Sequence, residues 1–220
     1  MRQMAMSWLE CASPIDEYTM NKPGKSPRRF RERPAKAKKL RCFIGIKFTL
    51  AAAIDELRKA LATIADSGEG QLRLVPDDNL HITLKFIGSV EEAKLASIEG
   101  VLKQVAARYQ GMQLQAKGMG MFKNSAWVGI EEHAELSKLA SDLNLACVPM
   151  GILSEGKTYQ PHVTVARFNK ETKAAVAALQ QKYAEKTWGD SVVSSICLYR
   201  SDTLAEGAKY TVIDEVTLGS

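Results

Sequence analysis

No stretch of this sequence is apolar for long enough to cross a bilayer as a helix. The first residues lack the apolar run of a secretory signal, and Glu10, Asp16 and Glu17 are unlike a transit peptide. The expected address is therefore the cytoplasm, with no membrane partner. Cysteine is sparse: Cys11, Cys42, Cys147 and Cys197 are scattered and form no Cys-x-x-Cys pair. That spacing argues against a disulfide scaffold and against a cysteine-built zinc site. The last three each lie in an apolar stretch and read as small core residues. Histidine is scarcer still, with three in 220 residues.

Charge is plentiful but unevenly placed. From Asn21 to Arg41 there are ten Lys or Arg residues against a single acid, Glu32, whereas residues 42–220 carry a net charge of −2. The basic segment also holds three prolines, and such a composition cannot bury enough apolar surface to offset its chain entropy. Residues 1–39 are expected to be a disordered basic tail. It reads either as a solvated segment or as an electrostatic tether for RNA, in which each neutralised phosphate releases counterions. The near-neutral body, residues 40–220, is not a general magnet for nucleic acid.

Within that body the patterns are regular. LRCFIGIKF and LHITLKFIG read as strands, with Ile54, Leu57, Leu61 and Ile64 at helical spacing between them. Ser89 and Glu92 have the spacing of a capping box for a helix that carries Leu95, Ile98, Leu102 and Val105 on one face. MQLQAKGMGMF, SAWVGI and TYQPHVTVARF read as further strands, followed by SVVSSICLYR and AKYTVIDEVTL. Helices are expected from Glu135 to Cys147 and around Val176, Leu179 and Tyr183. Aligned with itself at an offset of 81, the chain matches His81 to His162 and Thr83 to Thr164. Leu95, Ile98 and Leu102 then fall on Val176, Leu179 and Tyr183. The expected fold is α+β: a two-lobed internal duplication, each lobe an antiparallel sheet flanked by helices, with a central cleft.

Two of the three histidines occur as His-x-Thr. With eleven threonines in the chain, chance gives two such matches at a rate of roughly 1%. Side chains at i and i+2 of a strand share a face, so each strand presents an imidazole beside a hydroxyl. Two imidazoles facing one another suit in-line displacement at phosphorus, one as base and one as acid, with Thr83 and Thr164 donating to the non-bridging oxygens. This chemistry needs no metal and no cofactor. Asp77 and Asp78, just before His81, are the competing suggestion of a metal site, but VPDDN has the composition of a turn and TYQP before His162 has no acids. His133 lies outside any such motif and reads as an exposed residue at a helix start.

On RLVPDDNLHITLKFIG, TYQPHVTVARF and the strands around them, residues 40–219 resemble the two-histidine phosphoesterase superfamily, and within it the bacterial RNA 2',3'-cyclic phosphodiesterases, historically named 2'-5' RNA ligases. The resemblance implies hydrolysis of an RNA terminal 2',3'-cyclic phosphate to a 2'-phosphate, with His162 as base and His81 as acid. It also implies a role for Arg167 on the phosphate or nucleotide. Strand parity sets Arg167 opposite to His162, so a bulge or a strand end is required to bring it round. Phe43 and Tyr159 are candidates to pack on the terminal base, with core packing as the alternative. The expected partner is RNA with cyclic phosphate ends, tRNA fragments among them, and the expected state a monomer. Joining of RNA ends by a 2'-5' linkage at the same site, or a non-catalytic nucleotide- or RNA-binding module, are the alternative functions.

Overall fold

The computed structural model describes residues 38–219, apart from 69 and 206. The basic tail, and Cys11 within it, lie outside the described residues except for Lys38 and Lys39, which lead into the first strand. Nine strands and four helices follow in the order β1 (Lys39–Lys47), α1 (Asp55–Asp66), β2 (Leu72–Leu74), β3 (His81–Glu91), α2 (Leu95–Ala106), β4 (Met112–Met121), β5 (Ser125–Ile130), α3 (Ala134–Ala146), β6 (His162–Phe168), α4 (Lys173–Lys182), β7 (Thr187–Val193), β8 (Ser195–Leu204) and β9 (Gly207–Thr217).

All strand pairs are antiparallel and form one sheet in the order β7-β4-β5-β6-β3-β1-β8-β9, with β2 also paired to β6. Two half-sheets, β3-β1-β8-β9 and β6-β5-β4-β7, meet at a single bridge between Ile82 and Val163. These two residues are 81 apart, so each is the other's counterpart in the duplication.

The helices form where apolar residues recur at three- and four-residue spacing. Leu57 and Leu61 of α1, Ile98, Leu102 and Val105 of α2, and Leu136, Leu139 and Leu143 of α3 are fully buried. Each contributes about 1.5–3 kcal/mol of transfer free energy. α4 is weaker, burying Val176 and, just beyond its end, Tyr183. The helices exchange halves. α1, which follows β1, packs on β2 and α4, and α4 packs on β4 of the second half-sheet. α3, which follows β5, packs on β3 and on α2, and α2 covers β8 and β9 of the first. One continuous apolar core results, running from Ile44 and Leu57 to Val163 and Leu143.

The structure departs from the sequence expectations in three places. Ser89 caps nothing: β3 continues to Glu91, paired with Lys39, and a 3-10 turn at Glu92–Lys94 leads into α2 without a side-chain cap. SVVSSICLYR is two strands, because the chain passes from one half-sheet to the other at Ser194. The short β2 has no counterpart among the expected strands. Cys42, Cys147 and Cys197 are buried and free, as their apolar settings imply. Among the described residues, no helix is long and apolar enough to cross a membrane.

Candidate active site

The two His-x-Thr motifs lie side by side at the centre of the sheet. Continuing the antiparallel register one residue either side of the Ile82–Val163 bridge sets His81 across from Thr164 and Thr83 across from His162. The alternating partners Ile82, Leu84, Val163 and Val165 point into the core and are buried. His81, Thr83, His162 and Thr164 are half-buried on the opposite face.

Both imidazoles are held in the same way. His81 Nδ1 lies 2.7 Å from Asn79 O, and His162 Nδ1 lies 2.7 Å from Gln160 O. A carbonyl only accepts, so each Nδ1 carries the proton and each neutral ring keeps its Nε2 lone pair available. Asn79, in a 3-10 turn at Asp77–Asn79, is itself anchored: its Nδ2 donates to Ala208 O at 2.7 Å, and its Oδ1 accepts from Tyr210 N at 3.4 Å. Burial lowers the proton affinity of both histidines, outweighing the carbonyl bonds that raise it. Arg167 lowers both further, and His162 also lowers His81, so the imidazoles and the guanidinium share one electrostatic environment.

Aromatic rings fix the positions of both. Around His81 stand Phe43, Tyr210 and Tyr199, with centroids 4.7, 5.0 and 6.1 Å away. Around His162 stand Phe122 at 5.1 Å and Trp127 at 5.8 Å. Glycine makes room for each cluster. A Cβ at Gly45 would lie 2.7 Å from Ile82 O and 3.6 Å from the His81 ring, and one at Gly120 would lie 2.1 Å from Trp127.

Arg167 reaches the histidine face by the bulge that its parity required. Trp127 pairs with Thr164 and Ala126 with Ala166, leaving Val165 as the extra residue in β6. β3 has the same bulge at the duplicated position, where Leu84 is extra between the Gly45–Thr83 and Ile44–Lys85 pairs. It turns Phe86, the counterpart of Arg167, onto the same face, where it is 56% exposed and 6.5 Å from Phe43.

Of the other expected residues, Phe43 is only 4% exposed and stacks on Tyr199 beneath His81, so its ring supports the imidazole and does not offer an open platform. Tyr159 packs against the core with its hydroxyl buried. Asp77 is ion-paired to Arg58 at 2.8 Å. Among the described residues no three His, Cys, Asp or Glu side chains converge on a common point. His133 caps α3, its Nδ1 accepting from Leu136 N at 3.4 Å. Asn79, Phe86, Phe122, Trp127, Tyr199 and Tyr210 were not singled out from sequence. Phe86 alone had a readable signal, as the residue 81 before Arg167.

One imidazole from each half of a duplicated sheet, both presented from adjacent central strands, is the construction of a two-histidine protein. The chain belongs to the 2'-5' RNA ligase superfamily, whose family model matches residues 47–204. It is 33% identical over 176 residues to the RNA 2',3'-cyclic phosphodiesterase of Methanothermobacter thermautotrophicus, covering 76% of this chain and 95% of that one. It is 28% identical over 189 residues to the Aquifex aeolicus protein of the same name, covering 83% and 99%. Its fold is that of E. coli LigT, solved with 3'-AMP, at a TM-score of 0.63 and 23% identity, covering 83% of this chain and all of that one. A solved phosphoesterase gives the same score and coverage.

Proposed function

We propose that this protein hydrolyses 2',3'-cyclic phosphates at RNA ends to 2'-phosphates, using His162 and His81 as its base and acid and needing no metal. The observation that carries the reading is the matched pair of Nδ1–carbonyl bonds, which leaves two Nε2 atoms free for proton transfer on one face of the sheet. The relatives named above bear the name of this activity.

In the reaction, His162 Nε2 removes a proton from water as the water oxygen attacks phosphorus. The P–O3' bond breaks in line with that attack, and His81 Nε2–H protonates the departing O3'. The products are a 2'-phosphomonoester and a 3'-hydroxyl. Solvent exchange returns the two imidazoles to their starting protonation states. Thr83, Thr164 and Arg167 stabilise the charge that develops on the non-bridging oxygens. His81 must be protonated to act, and the anionic cyclic phosphate favours that form, offsetting the burial that disfavours it. The site is nearly symmetric, so the division of acid and base follows the family resemblance. Phe86 and Arg167, counterparts on adjacent strands, are suited to flank the terminal nucleoside.

The test is turnover of an oligoribonucleotide ending in a 2',3'-cyclic phosphate, with EDTA present. Hydrolysis to a 2'-phosphate is expected. Activity lost in EDTA and restored by a divalent cation would overturn the metal-free mechanism. The superfamily description also names ligation. A 5'-hydroxyl in place of water would give a 2'-5' linkage at the same atoms, and supplying both RNA ends to the assay separates the two outcomes.

A further inference from the structure

β2 and β6 place two arginines directly opposite one another, Arg73 across from Arg167. Residues paired in this way share a face of the sheet about 4.8 Å apart, and like charges so placed repel. Both side chains are exposed, on the face that carries the histidines. Arg73 also reaches across to the first half of the molecule: its Nη1 lies 3.4 Å from where a Cβ on Gly207 would stand. Gly207 adjoins Ala208, whose carbonyl accepts from the Asn79 amide that backs His81. Its guanidinium thus borders the site between β2 and the β8–β9 hairpin. Arg167 is near enough to act on both imidazoles, and Arg73 stands one strand further out.

A cyclic mononucleotide brings one phosphate to this site, whereas an RNA end also brings the phosphodiester one nucleotide upstream. We propose that Arg73 binds this upstream phosphodiester, so that the site selects the end of an oligonucleotide over a free cyclic mononucleotide. This rests on the cyclic phosphodiesterase reading above and specifies its substrate. Arg167 serves the reacting phosphate, Arg73 serves the next one, and the two anions relieve the repulsion between the paired guanidiniums.

The experiment compares a nucleoside 2',3'-cyclic phosphate with a trinucleotide ending in the same group, using wild type, Arg73→Gln and Arg73→Lys, with thermal melting to confirm folding. In Arg73→Gln the trinucleotide is expected to lose tenfold or more in kcat/KM, mostly through KM, and several-fold more than the mononucleotide loses. Arg73→Lys recovers part of it. The slope of log kcat/KM against log salt for the trinucleotide falls by about 0.7, the value for one single-strand phosphate contact. Equal losses on both substrates, or no loss on either, would overturn the proposal. Absence of turnover by wild type on both substrates would overturn the phosphodiesterase reading instead. In that case, binding of a 3'-phosphorylated trinucleotide and mononucleotide decides the role of Arg73, and unchanged trinucleotide affinity in Arg73→Gln refutes it.

Discussion

The two halves of the sheet carry the same catalytic strand, and they differ at the residue that follows the bulge. Over seven residues from each histidine the burial pattern is identical, and each strand expels one residue two positions after its threonine (Leu84 is the residue 82–86 counterpart of Val165). The bulge then delivers Phe86 in one half and Arg167 in the other. Their backbones also differ. In the second half β2 pairs along the outer edge of β6. In the first half no strand covers β3 there, and the Phe86 amide donates to Glu155 Oε1 at 3.1 Å. Glu155 is held near Lys85 Nζ, at 3.6 Å, and that lysine, 1% exposed, donates to Leu153 O at 2.7 Å. A carboxylate and a buried ammonium thus take the place of a strand. The duplication kept what proton transfer needs from both halves and let the flanking position diverge, which gives a symmetric site a direction for an asymmetric substrate.

The sharpest way to break the comparison is to remove either imidazole. His81→Ala and His162→Ala should each reduce kcat for a cyclic-phosphate RNA by about 10²–10⁴-fold. The double variant should be little worse than either single one, because acid and base act as a unit. A single variant with near-normal turnover would show that the halves are not partners. Next, Arg167→Ala should lower kcat/KM by about 10²-fold, as loss of a charge-assisted contact to the reacting phosphate does. Phe86→Ala should cost about tenfold and mainly raise KM, since a stacking contact is worth about 1–3 kcal/mol per base. The reverse ranking would refute the division of labour between them.

The pH profile gives a further test. Burial holds both histidines below their ordinary pKa of about 6.5, so the acidic limb of kcat/KM should lie below that value. Arg167→Ala should move it to higher pH. The sign for stability is the same: the unfolded chain takes up protons first, so stability held above about pH 6.5 is lost as pH falls through the depressed values. Smaller effects separate the two carbonyl supports. Asn79→Ala removes the clamp on Ala208 and Tyr210 and should cost about 1 kcal/mol in denaturant titrations, with several-fold lower kcat. Gln160→Ala, where the backbone carbonyl makes the contact, should change little.

Sequence reading recovered the parts of this site that depend on local spacing. His-x-Thr repeated at one offset identified both strands and both faces, and helical spacing located the four helices through residues such as Leu57 and Leu139. What it missed was decided by tertiary contacts. A bulge leaves no mark on VTVARF, so Arg167 could only be said to require one. SVVSSICLYR contains no breaker, and its division at Ser194 follows from the chain crossing between half-sheets. Phe43 reads the same whether it faces a nucleobase or His81, and only the rings of Tyr199 and Tyr210, more than 150 residues away, decide it.

The exchange of helices has a bearing on how this chain could be divided. A break at Lys123–Asn124, between β4 and β5, separates the two copies of the repeat. Yet the first copy keeps β1 and β3 without β8 and β9, and its α1 and β4 belong against the other half. Neither piece can close an apolar core alone. Each presents the surface that the other lacks, and each holds one of the two histidines. Two such fragments would form an obligate pair whose activity reports their association, a split enzyme in which complementation and catalysis are the same event.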